Sequence, residues 1–173
     1  KDQEDNLWIG CTQGAYVLNP DHQHIRFFSL AQFGVLNRLY PGRLAYYAPD
    51  NVIYLAHTNK PEGRGFYRIP LSENSASQPT FVPLDFDITG IVCDHQNRIW
   101  MLGNGAMHQL DPQTNMLSNI TLASGAKRAL PDVQNMKANK DGWIGGINSG
   151  VFFWYHADAP QLRFLSLEDL PGS

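Results

Sequence analysis

A polar turn followed by an apolar run with one aromatic ring recurs four times in this chain, at a nearly fixed interval. It reads Asp5-Asn6-Leu7-Trp8-Ile9-Gly10, then Asp50-Asn51-Val52-Ile53-Tyr54-Leu55. It returns as Gln96-Asn97-Arg98-Ile99-Trp100-Met101 and as Lys140-Asp141-Gly142-Trp143-Ile144-Gly145. The rings Trp8, Tyr54, Trp100 and Trp143 stand 46, 46 and 43 residues apart. A period in the forties marks a repeat architecture, in which no unit buries its apolar face alone.

The rest of each unit follows one plan. A glycine-led run comes next: Gly14-Ala15-Tyr16-Val17, Gly65-Phe66-Tyr67-Arg68, Gly105-Ala106-Met107-His108 and Gly150-Val151-Phe152-Phe153. A third run follows, Ile25–Leu30, Phe81–Leu84, Leu117–Leu122 and Leu162–Leu167. A further run precedes the turn at 44–47, 88–93 and 133–138. Asp-Gly, Asp-Asn, Asn-Pro and Asp-Pro pairs between the runs supply the reversals. Short runs at close, even spacing read as antiparallel strands, and no apolar set holds a 3.6-residue period for three turns. The expectation is an all-β fold of β-propeller blades, four antiparallel strands each, about four blades and about fifteen strands. The blades are expected at 1–42 (lacking its innermost strand), 43–86, 87–130 and 131–173. The repeated rings are expected to pack between adjacent blades, and the glycines to open strands where the chain bends.

At 173 residues, with 43% hydrophobic content, the chain is long enough to bury a core. No apolar stretch reaches the roughly 20 residues of a membrane helix. A net charge of −3 gives no electrostatic case for nucleic acid. The two cysteines, Cys11 and Cys93, fall at different strand positions two blades apart and are expected as free thiols. No Gly-x-Ser-x-Gly, phosphate loop, dinucleotide fingerprint or paired-Cys zinc spacing occurs, so no cofactor and no metal is expected. His22 and His24 read as a solvated turn. Asp85 and Asp87 flank Phe86 in a connection between blades; strand alternation would put both on one face as an acid/base pair, against a plain reading as a charged edge or turn.

The blade-to-blade connections carry the other candidates. Arg38, Tyr40 and Arg43 lie in one, Lys127 and Arg128 in another. Such loops open on one face of a propeller near its axis, where binding residues concentrate. Arginine beside an aromatic ring suits an anionic or sugar ligand; solvated loop charge is the alternative.

The repeat resembles the two-component regulator propeller repeat. Asp5-Asn6-Leu7-Trp8-Ile9-Gly10-Cys11 carries the resemblance best, followed by Asn97–Gly103 and Asp141–Gly146, with Asp50–Tyr54 the weakest. It extends over nearly the whole chain. It implies blades of a seven-bladed propeller in the periplasmic sensor region of a hybrid histidine kinase that controls polysaccharide use. A non-catalytic, ligand-sensing segment is then expected, with the membrane reached only through the parent chain. Expected partners are an oligosaccharide or the adjoining receptor domain, and a second copy through open blade faces. The chain is expected to be a fragment of a larger propeller, with closure on itself as four blades the other solution. The competing function is part of a propeller lyase or glycosidase acting on glycans.

Overall fold

The computed structural model describes residues 5–11, 14–19, 21, 25–29, 43–57, 63–71, 79–120, 133, 136–148, 151–159 and 161–166. Among these, fifteen strands form four antiparallel sheets. The first sheet holds β1 (Leu7–Cys11), β2 (Gly14–Leu18) and β3 (Ile25–Ser29). The second holds β4 (Leu44–Tyr47), β5 (Val52–His57), β6 (Arg64–Pro70) and β7 (Thr80–Leu84). The third holds β8 (Ile88–Cys93), β9 (Ile99–Gly103), β10 (Ala106–Leu110) and β11 (Leu117–Asn119). The fourth holds β12 (Lys137–Ala138), β13 (Trp143–Asn148), β14 (Val151–His156) and β15 (Gln161–Ser166). In each, sequence neighbours pair in order. The all-β blade fold expected from the repeats is the fold observed.

Why β5 and β9 read as unbroken apolar runs follows from burial on both faces. From the second sheet, Ala45, Val52, Tyr54, Ala56 and Phe66 pack on Ile88, Ile91, Ile99, Met101 and Leu110 of the third. The alternate residues of β9, Trp100 and Leu102, point the other way. With Met107 they meet Met136, Ile144, Phe153 and Tyr155 on the side of the fourth sheet. Tyr54 and Trp100 therefore sit between adjacent blades, almost fully buried. The inner strands β4 and β8 adjoin, as do β8 and β12.

Trp143 departs from this pattern. The phase of each unit is set by a left-handed residue in the turn: Asp5 (φ 66°), Asn51 (52°), Asn97 (61°) and Gly142 (83°). Trp8, Tyr54 and Trp100 each come three residues after it; Trp143 comes one residue after. The turn hydrogen bonds agree. Asp94 Oδ1 accepts from the Gln96 and Arg98 amides, each at 2.9 Å. Asn139 Oδ1 accepts from the Asp141 and Trp143 amides at 3.0 and 2.9 Å. Trp143 thus occupies the Arg98 position, and Gly145 the ring position. A two-residue shift keeps the parity of a strand but moves the ring to the strand's end. There the indole packs edge-on to His156, with centroids 4.6 Å apart, and under Arg163.

Candidate functional site

The two ends of the sheets have different characters. At one end lie the hairpins joining each inner strand to the next, Ala48–Asn51, Asp94–Arg98 and Asn139–Gly142. At the other, the crossover end, the chain passes from the outer strand of one sheet to the inner strand of the next. Among the described residues a polar cavity of about 250 Å³ opens at the crossover end. Arg64, Asp85, Phe86, Asp87, Thr89 and Asn104 line it.

Three separate segments meet there. Arg64 opens β6; 85–87 crosses from β7 to β8; Asn104 is in the tight turn between β9 and β10. That turn is Asn104-Gly105, both left-handed (φ 52° and 69°), the combination a two-residue hairpin turn needs. Thr89 sits on a β-bulge: Ile88 opposes Gly103 while Gly90 opposes Leu102. Bulges re-aim a side chain out of the strand's alternation. The Thr89 hydroxyl donates to the Leu102 carbonyl at 3.2 Å.

The crossover is fixed from below. Phe86 stacks on buried His108 with centroids 4.5 Å apart and planes 14° apart. His108 Nε2 lies 3.3 Å from the Gly103 carbonyl oxygen. A Cβ on Gly103 would come within 2.5 Å of both the Asp87 carbonyl oxygen and the Phe86 ring. Glycine is therefore required where β9 runs beneath this connection. Above it, Arg64 Nη1 donates to the Asp85 carbonyl at 3.3 Å, and its Nε lies 3.5 Å from Asp87 Oδ1. Both partners of that ion pair are about half exposed, 49% and 47%.

The alternation that would place Asp85 and Asp87 on one strand face does not occur, and the alternative reading of a charged turn is the one that fits. β7 ends at Leu84 and β8 begins at Ile88, so both carboxylates belong to a bend where the strand rule does not apply. Arg64 holds one residue by its carbonyl and the other by its carboxylate. Of the loop candidates, Arg43 directly precedes β4, where its carbonyl accepts from the Ala56 amide at 2.9 Å. Arg38, Tyr40, Lys127 and Arg128 lie outside the described residues, as do His22, His24 and the Cys11 side chain. Sequence reasoning singled out neither Arg64, Thr89 nor Asn104. Arg64 had one signal, its place directly before a strand-opening glycine.

The hairpin end carries a pin between the third and fourth sheets. Buried Asp94 accepts from Arg98 Nε at 2.6 Å and from the Trp100 indole at 2.9 Å. Arg98 Nη1 reaches across to Asp158 at 2.8 Å. Burial alone would raise the pKa of Asp94; the amides of Arg98 and Gln96, the indole and the guanidinium outweigh it and hold the carboxyl below its ordinary range. Cys93 is a free thiol, pushed up to about 11 by burial and then by the charge of Asp94. Among the described residues no cluster of three or more His, Cys, Asp or Glu is placed to hold a metal, and no helix is long and apolar enough to cross a membrane.

No protein-family model and no curated protein matches the sequence. Solved structures do match. The extracellular domain assigned to the hybrid two-component system BT4673 from B. thetaiotaomicron aligns at 18% identity and TM-score 0.59, over 95% of this chain and 21% of its own. The corresponding domain of BT3049 from the same organism aligns at 14% identity and TM-score 0.56, over 94% and 19%. YCF48, a propeller solved bound to D1 peptide, aligns at 10% identity and TM-score 0.60, over 95% and 50%. The chain has the β-propeller fold of these proteins. It spans about one-fifth of the length of the two-component system domains and half that of YCF48.

Proposed function

We propose that the chain is a ligand-recognition segment of the extracytoplasmic sensor domain of a two-component system receptor, placed in the periplasm and responding to a carbohydrate. The observation that carries this reading is the match of successive blades, over 93–95% of the chain, to extracellular domains of such systems. The repeat motif at Asp5–Cys11 and Asn97–Gly103 supports it independently. At the crossover end Arg64 engages both acidic residues of the connection, an arrangement suited to binding and not to a general acid facing a general base. The segment itself is read as non-catalytic. Arg38, Tyr40, Arg43, Lys127 and Arg128 remain its proposed loop contacts, to a ligand or to an adjoining receptor domain.

Deleting the parent gene and profiling transcripts on a panel of purified glycans tests this. Loss of induction of a glycan-use gene set on one glycan is the expected result. Turnover of any glycan by the purified chain would instead favour a lyase or glycosidase.

A further inference from the structure

We infer that the cavity between Arg64, the Asp85–Asp87 crossover and Asn104 is a binding site for an uncharged, hydroxyl-rich ligand, a polyol or a sugar residue presenting vicinal hydroxyls.

The donor and acceptor inventory points to hydroxyls. Arg64 only donates, the carboxylates of Asp85 and Asp87 only accept, the Asn104 amide does both, and the Thr89 hydroxyl, its proton given to the Leu102 carbonyl, is left to accept. A hydroxyl both donates and accepts, so adjacent hydroxyls satisfy a carboxylate and a guanidinium side by side. Charge argues against an anion. Arg64 contributes +1 and the two aspartates −2, so the lining is net −1. An anionic sugar would meet Asp85 and Asp87 without a surplus cation among the lining residues. Size argues for one small unit: about 250 Å³ falls below the roughly 300–1,000 Å³ typical of larger ligands.

The site is also built to receive. Asp87 Oδ1 is shielded from solvent and has no hydrogen-bond partner; its nearest cation, Arg64 Nε, is 3.5 Å away, beyond a good hydrogen bond. The Arg64 bond to the Asp85 carbonyl is likewise long, at 3.3 Å. A bridging hydroxyl replaces these loose contacts with shorter ones. Meanwhile the scaffold is closely packed: Phe86 is stacked on His108, Gly103 leaves no room for a side chain under the bend, and the bulge sets the buried Thr89 in the cavity lining. Rigid support of this kind lowers the ordering cost of binding.

This site deepens the sensing role proposed above, and it rests on that reading only for its biological purpose. Its test is titration of the isotope-labelled chain with methyl β-glucoside, methyl β-galactoside and glucuronate, following backbone amide signals. With at least one neutral glycoside the signals of Arg64, Asp85–Thr89 and Asn104 are expected to move, with a Kd of about 1–10 mM. Glucuronate is expected to bind more weakly. Asp87→Asn and Arg64→Gln, both at half-exposed side chains, are each expected to weaken binding about tenfold, with the rest of the spectrum unchanged. No response to either neutral glycoside at about 50 mM, tighter binding of glucuronate, or shifts centred on Trp143 and Trp154 would overturn the assignment. Failure here with an intact glycan response of the parent receptor removes the site and leaves sensing standing. Binding here with a parent that answers no glycan does the reverse.

Discussion

At the scale of single residues, Asp94 is the most demanding position. Its carboxylate is buried, takes two backbone amides, an indole and a guanidinium, and through Arg98 ties the third sheet to Asp158 in the fourth. Asn139 shows what part of this an amide can do, since it closes the equivalent turn in the next sheet. Asp94→Asn is therefore expected to keep the turn and lose the charge, costing about 1–3 kcal/mol, and Asp94→Ala to cost more, as read by chemical denaturation. The pH dependence has a definite sign. A carboxyl held below its ordinary range in the folded state stabilises fully above the unfolded pKa, near 4, and this is lost as pH falls through the lower folded value. Thermal unfolding from pH 7 to pH 2 should show Tm of the native chain falling more steeply than that of Asp94→Asn; parallel curves would count against the pin. Beside it, the raised Cys93 thiol is expected to resist alkylation by iodoacetamide at pH 8 until the chain is denatured. Modification at the rate of an exposed cysteine would contradict its partly buried placement.

At the scale of elements, the crossover depends on Gly103. An added methyl would meet the Asp87 carbonyl and the Phe86 ring at 2.5 Å, and neither is the free end of a flexible chain. Gly103→Ala is expected to destabilise by about 1–3 kcal/mol and to broaden the amide signals of Asp85–Asp87. Unchanged signals would mean the bend is looser than the structure shows. The strands themselves were legible in the sequence, because a polar turn, an apolar run and a glycine recur with the local chemistry each reversal needs. Tyr54 and Trp100 could be placed between blades for the same reason. Trp143 could not, because the eye aligns rings while the chain is phased by its left-handed turn residue. In the fourth unit these two markers are two residues closer than elsewhere. The crossover cavity was half legible. Asp85 and Asp87 stood out as paired acids, but Arg64, Thr89 and Asn104 come from distant segments. Only the sheet topology and one bulge, which no periodicity predicts, bring them together.

At the scale of the whole molecule, the first and fourth sheets each present apolar side chains to solvent. In the first, strand register puts Leu7, Ile9, Tyr16, Ile25 and Phe27 on one face, with Tyr16 and Phe27 rings 4.8 Å apart. All five are exposed, Ile25 by 66%. In the fourth, Ile147 and Phe152 are exposed beside the half-buried Trp143 and Trp154 around an open groove of about 480 Å³. Apolar patches of this extent usually mark interaction surfaces. In the proposed receptor, neighbouring blades would cover them. The isolated chain is accordingly expected to self-associate with concentration, and Phe27→Ser with Phe152→Ser to shift sedimentation toward the monomer. A wild-type chain that stays monomeric at high concentration would argue against these faces as contacts. The central claim is that this stretch of blades recognises a ligand for a signalling receptor through the cavity between Arg64 and the Asp85–Asp87 crossover. It is tested most directly by a promoter reporter in cells whose parent gene carries Asp87→Asn and Arg64→Gln. Compared with wild type, the response to the inducing glycan should need about tenfold or more ligand, at equal receptor abundance. An unchanged dose–response would contradict the claim.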